Sequence, residues 1–404
     1  MLAVRPGTQK RRFIDPNWLV LIVIVAIISI GLLNLRNADF YSEDSFHERQ
    51  LKWYLLGMVI TVLVSVIDLH LISRFAYVAF GIGCLLLVAV LFTEPINNSR
   101  RWITIPILNE RLQPSEFVKI ATVLAIARWY HDQRGQRAKE SVNKWIAWLK
   151  PWTPHLMLLI PVILIFMEPD LGTALIVTMI GMSMVFFEGV RWRTLVTAAG
   201  VVALVFPMAW KFALHDYQKA RVLVWWDSEA LEVEVNELKK EVRTDESVAP
   251  KLAKLQRILD KAYQPRQAVV AIGSGDFWGK GGQQGHANRQ RSLPYLHTDF
   301  VIATWGEERG FVGCTLLLTL YYLLTYWAIR VTRQGRDKFQ VLVAVGVCAT
   351  IFWQFFVNVG MVTGLLPVVG VALPLLSYGG SSVLSICLGL GLLFNIVLRQ
   401  RATG

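Results

Sequence analysis

Apolar runs averaging about 20 residues recur along this chain, and at roughly 1.5 Å of rise per residue that length approaches the ~30 Å hydrocarbon core of a bilayer. About ten stand out by hydropathy: Trp18–Leu33, Tyr54–Ile67, Leu71–Phe92, Phe117–Tyr130, Leu156–Met167, Leu171–Phe187, Leu195–Phe212, Phe311–Ile329, Phe339–Val362 and Val371–Leu398. With 54% hydrophobic and 17% charged residues over 404 positions, an ordinary soluble domain is excluded. The expected fold class is an all-α polytopic membrane protein with about ten transmembrane helices.

Positively charged loops stay cytoplasmic, and Lys and Arg fall on alternate loops: Arg5 to Arg12, Arg134 to Lys150, Arg191 and Arg193, Arg333 to Lys338, Arg399 and Arg401. Both termini are therefore expected inside. The formal charge of +12 reads as anchoring on anionic lipid, and no basic-aromatic motif for nucleic acid appears. The first apolar run is too long for a signal peptide's core and lacks a small-residue cleavage site, so it reads as a retained span. Cys84, Cys314, Cys348 and Cys387 lie inside apolar runs without metal-type spacing, which points to packing.

Most of the polar mass outside falls in one extracytoplasmic loop, residues 214–304. Within it, Leu231, Val235, Leu238 and Val242, then Leu252, Leu255, Ile258 and Leu259, have helical spacing, and residues 245–250 break the pattern. A charged helical hairpin at about 227–262 follows; packing on the protein's own outer face is the plain reading of its stripe.

Ionisable residues near membrane depth are functional candidates because charge is costly in lipid. In NNSRRWITIPILNERLQPSEFVKIA, Arg101 precedes a stretch able to lie along the interface, and Glu116 and Lys119 share a helix face three residues apart. Asp170 in MEPDLGT reads first as a helix cap. Arg221 in DYQKAR has a guanidinium suited to phosphate, and Lys280 sits among glycines in GSGDFWGKGG that lack the spacing of a nucleotide-binding loop. In RSLPYLHTDF, Asp299 could cap the next helix and His297 could be satisfied by a carbonyl. Glycine and proline breaks in GMVTGLLPVVGVALPLLSYGGSS are tolerated at depth only where protein covers the backbone or a cavity meets it.

In order along the chain, RRW, QPSEFVK, PDLGT, DYQKAR, AIGSG with GKG, HTDF and LPVVGVALPLLSYGGSS resemble the motifs of the SEDS family (shape, elongation, division and sporulation), over about Asn97 to Arg399. The last motif is closer to the elongation, RodA-like branch than to the division branch. The resemblance implies ten transmembrane helices in the bacterial inner membrane and a glycosyltransferase that polymerises lipid II outside, during cell elongation. It implies a class B penicillin-binding protein as partner, with other elongation-complex membrane proteins, an undecaprenyl-diphosphate-linked substrate and surrounding membrane lipid.

Carried onto this sequence, the resemblance makes Asp299 the catalytic base. Arg101, Glu116, Lys119, Arg221, Lys280, His297 and Thr298 become the substrate and diphosphate set, and Asp170, Pro367, Ser377, Gly379 and Gly380 shape the cavity. No metal ligand or cofactor is demanded, although Mg2+ or Mn2+ is compatible with a diphosphate. The chain departs from the family pattern at Tyr295, where Glu is usual, at Glu168 for Gln, at Ala268 for Ser and at Asp276. The alternatives are a lipid II flippase, a division-type polymerase, and a scaffold that only recruits the transpeptidase.

Overall fold

The computed structural model describes residues 16–40, 45–95, 99–105, 110–136, 152–189, 200, 216–241, 249–285 and 297–401. The expected span Leu195–Phe212 lies outside the described residues except for Gly200, as do most of the Arg134–Lys150 loop and residues 242–248 and 286–296. Among the described residues the regular structure is helical apart from one short hairpin, and irregular stretches join the helices. Its helices are α1 (Pro16–Asp39), α2 (Phe46–Val66), α3 (Leu69–Val90), α4 (Pro114–Gln136), α5 (Thr153–Met167), α6 (Leu171–Phe187), α7 (Asp216–Trp226), α8 (Ser228–Glu241), α9 (Ala249–Gly273), α10 (Val301–Thr332), α11 (Lys338–Val362) and α12 (Gly380–Arg401).

Six of these are long and apolar enough to cross a membrane: α1, α2, α3, α10, α11 and α12; α5 and α6 are shorter apolar helices. The expected fourth span coincides with α4, which is not among the six and carries Glu116, Lys119, Arg128 and Asp132. The hairpin β1 (Ile103–Ile105) and β2 (Glu110–Leu112) pairs antiparallel, Ile103 opposite Leu112, just before α4.

Helix α12 is the most enclosed span and α2 and α3 the least, so the bundle has a protein-facing centre and a lipid-facing flank. α12 lies along α2, α4 along α3 and α11, and α10 against α1, α9 and α11. Lipid gives apolar side chains no drive to pair with each other, so polar side chains join the helices. Asn34 of α1 donates to Val301 O and Thr304 Oγ1 of α10 at 3.2 and 3.1 Å. Asn395 of α12 donates to Val64 O and Ile67 O at the end of α2, at 2.7 and 2.6 Å.

Two sequence expectations change. The last span does not begin at Val371: residues 363–379 are irregular, with Leu375 at φ 62° and Gly370 at φ 74°, and the helix starts at Gly380. The eighth starts earlier than Phe311, at Val301, and is broken at Gly310, whose φ is 62°. The break is filled by the 274–285 loop, whose carbonyls Asp276 O and Phe277 O accept from the freed Phe311 and Val312 N–H groups at 2.8 and 3.2 Å. Lys280 N and Gly281 N in turn donate to Glu307 O and Glu308 O.

A β-carbon at Gly310 would stand 2.4 Å from Gly279 N, in a backbone region costly for any side chain. Gly310→Ala is therefore expected to lose at least about 1–3 kcal/mol, read as a lower midpoint of thermal unfolding in detergent. An unchanged midpoint would mean that the kink is not fixed by this contact.

Candidate active site

Asp299 lies in the turn just ahead of α10 and is partly exposed. It does not cap that helix: the capping position is Phe300, with no side-chain cap bond. Its backbone carbonyl accepts from Asn358 Nδ2 of α11 at 3.0 Å, and the same amide donates to Val371 O at 2.6 Å. One asparagine thereby joins the 297–300 turn to the irregular 363–379 stretch. Ser377 Oγ repeats the tie, donating to Thr298 O at 2.5 Å while accepting from Leu373 N at 2.8 Å. Tyr378 N donates to His297 O at 2.8 Å.

The irregular stretch itself is suspended from helices by side chains. Tyr54 and Gln50 of α2 donate to Leu375 O and Ser377 O at 2.7 and 3.0 Å, Gln50 Oε1 accepts from Gly379 N, and Tyr321 of α10 donates to Pro374 O. Gly380 packs its bare α-carbon on the Trp53 ring. These links answer carbonyls that have no helical partner. Asn358, Gln50, Tyr54 and Tyr321 were not singled out from the sequence; the available signal was a polar group isolated inside an apolar run.

Gly172 lets this stretch approach the start of α6, since a β-carbon there would lie 2.5 Å from Val369 O. A β-carbon at the neighbouring Gly370 would stand 3.4 Å from Asp299 Oδ2. The close approach brings Asp170 toward Asp299, and Asp170 also caps α6 as expected, accepting from Thr173 N and Oγ1 at 3.2 and 3.0 Å. Arg101 Nη1 lies 3.6 Å from Asp170 Oδ2, and Gln113 Nε2 donates to the same oxygen at 2.8 Å.

Burial pushes the Asp299 carboxyl up to about 6, helped by the Asp170 charge and opposed by Arg221, Arg101 and the Thr298 hydroxyl. Asp299, Asp170, Arg101, Arg221 and Thr298 thus form one electrostatic unit. Glu168 sits beside Asp170 and Arg101, wholly buried, with no hydrogen-bond partner for either carboxylate oxygen among the described residues. Burial, with the Asp170 charge, pushes its carboxyl up to about 8, so it is mostly neutral at pH 7.

Arg221 on α7 also lines a cleft of about 410 Å³ with Val224, Trp225, Val269, Val270, Leu366 and the expected cavity residue Pro367. The lining is largely apolar, and Arg266 adds a second guanidinium, paired with Glu232 of α8. Such a cleft suits an amphiphile with an anionic head.

Other expected residues go elsewhere. Lys119 is fully enclosed, 2.7 Å from Glu116 Oε2, and Ser385 Oγ of α12 donates to Glu116 O. The pair is enclosed within the protein, with the Glu116 backbone tied to α12. Lys280 binds Glu307 Oε1 at 2.8 Å and Ser274 Oγ at 2.7 Å, holding the 274–285 loop on broken α10. Among the described residues no group of three or more His, Cys, Asp or Glu side chains is placed to hold a metal ion.

The family model of the FtsW, RodA and SpoVE cell cycle proteins matches residues 17–402. The chain is 32% identical over 384 residues to the peptidoglycan glycosyltransferase MrdB of Escherichia coli (strain K12), covering 95% of this chain and 93% of that protein. It is 30% identical over 396 residues to the probable peptidoglycan glycosyltransferase FtsW of Trichlorobacter lovleyi, covering 95% and 94%. A solved structure of a peptidoglycan synthase complex that coordinates polymerization and crosslinking contains a chain that superposes with a TM-score of 0.71 at 28% identity, covering 96% and 98%. The crystal structure of the rod shape determining protein RodA of Thermus thermophilus superposes with 0.63 at 26% identity, covering 99% and 100%.

Proposed function

This chain belongs to the FtsW, RodA and SpoVE family, and from that membership and its site we infer that it is a peptidoglycan glycosyltransferase polymerising lipid II during cell elongation. One observation carries the chemical part of the reading: a partly exposed carboxylate with raised proton affinity, flanked by two arginines, one of which lines an apolar cleft. That arrangement suits a sugar whose diphosphate and isoprenoid remain attached to the membrane.

In this reading Asp299 takes the proton of the GlcNAc 4-hydroxyl of incoming lipid II as that oxygen attacks the anomeric carbon of the MurNAc at the strand's lipid-linked end. The bond from that carbon to the diphosphate oxygen breaks on the opposite face, its electron pair leaves with the diphosphate, and the new linkage is β-1,4. Arg221 and Arg101 face the charge that develops on the leaving group. A Mg2+ or Mn2+ ion bound to the diphosphate would add to their charge. About ten spans, cytoplasmic termini and residues 214–304 outside would put this chemistry on the periplasmic face. A class B penicillin-binding protein, suggested by the synthase complex, is the partner that fits.

The test is polymerisation of pure lipid II by the purified protein in detergent, where no second leaflet exists; transfer between leaflets without polymer would favour the flippase. Because a base must be ionised to act, the rate is expected to rise about tenfold per pH unit up to about 6 and level off above it. A profile flat between pH 4.5 and 7.5 would remove Asp299 from the base role.

A further inference from the structure

The first residue of α2 puts an aromatic ring against the catalytic turn. Phe46 stacks on the His297 imidazole with centroids 4.3 Å apart and planes 13° from parallel. Tyr378 meets Phe46 edge-on at 4.9 Å and His297 at 6.0 Å. Three distant chain segments thus converge on one ring cluster, and none of the three side chains is fully buried.

The cluster is held from both sides. Asp39 Oδ2 accepts from His47 N at 2.8 Å and lies 2.6 Å from His47 Nδ1, which fixes the first turn of α2. Tyr378 is anchored through its N–H to His297 O, and Arg49 and Glu110 flank its phenol. This cluster is only part-buried, Arg49, Glu110 and Asp39 lie near its Tyr378, and its His297 is two residues before Asp299.

Resting on the polymerase reading above, we propose that the outward face of the Phe46–His297 stack, braced edge-on by Tyr378, is a platform for one hexosamine ring of the lipid-linked substrate, with Arg49 and Glu110 at its polar edge. A pyranose presents axial C–H bonds, slightly positive, on a face that matches the negative π face of a ring. Its hydroxyl and N-acetyl groups point around the rim, where charged side chains can meet them. Seating the sugar there also restricts its orientation beside Asp299 before reaction.

The test combines kinetics on lipid II with saturation-transfer NMR on the tail-free disaccharide peptide GlcNAc-MurNAc-pentapeptide. Phe46→Leu is expected to raise KM about tenfold with kcat changed less than about threefold, whereas Phe46→Trp stays within about twofold of wild type. Tyr378→Leu, which leaves Phe46 in place, is expected to raise KM as well. In the NMR arm, transfer to sugar C–H protons is expected for wild type and for Asp299→Asn, and is lost in both leucine variants.

An unchanged KM in the leucine variants, or equal effects of leucine and tryptophan at Phe46, would overturn the platform. Wild type that makes no polymer would instead overturn the polymerase reading, and the disaccharide NMR would still decide the platform.

Discussion

Asp299→Asn is expected to cut polymer formation from pure lipid II by about 10²–10⁴-fold while making the protein more stable. The amide keeps the shape of the carboxyl but cannot accept the proton. Its effect on stability has the opposite sign because burial holds the native carboxyl at about 6, above the 3.8 of an ordinary aspartate. The native fold therefore favours the neutral acid; that contribution is whole below pH 3.8 and disappears as pH rises through 6. At pH 7 the asparagine variant should gain about 1–3 kcal/mol, with the gain vanishing near pH 4. Thermal unfolding at the two pH values, beside a glycan polymerisation assay, checks both. Near-normal polymer yield would end the base assignment, and a destabilised variant would mean that the carboxylate is held by favourable contacts.

The second large effect concerns Glu116 and Lys119, whose side chains are 9% and 1% exposed and 2.7 Å apart. Glu116→Ala leaves an ammonium enclosed between α4 and α12 without its counter-charge, and is expected to destabilise by about 3–5 kcal/mol. Replacing both, as Glu116→Gln with Lys119→Met, removes both charges together and is expected to recover most of that loss. Unfolding in detergent measures the difference between the variants. Polymerisation by the double variant within about tenfold of wild type would agree with a packing role, whereas a loss like that expected for Asp299→Asn would return Lys119 to the substrate set.

The contrast between these two carboxylates shows what could be read from residues alone. Apolar length, a local property, announced the long helices, and of the residues singled out in the motifs Arg101, Asp170, Arg221 and Thr298 lie close enough to act on the Asp299 carboxyl. The enclosure of Lys119 was not legible, since three-residue spacing puts a pair on one face without saying whether that face is open or covered. The late start of α12 was only partly legible: glycine and proline mark the stretch as interrupted, but Val371 to Leu376 is as apolar as a span, and the turn at Leu375 and the hydrogen bonds to distant phenols show that no helix runs there. Gln50 reaches across 327 residues to Ser377 and Asn358 across 59 to Asp299, so no local pattern marks their role. The aromatic contact between Phe46 and His297 is equally invisible in the chain order.

Residues 371–379 hang from Gln50, Tyr54, Tyr321 and Asn358, each answering a carbonyl that would otherwise be left in oil. At these four positions mutational drift toward grease, which elsewhere on the same helices changes little, is closed off. Even Tyr54→Phe, almost invisible as a change of shape, would strand the Leu375 oxygen beneath the Asp299 turn.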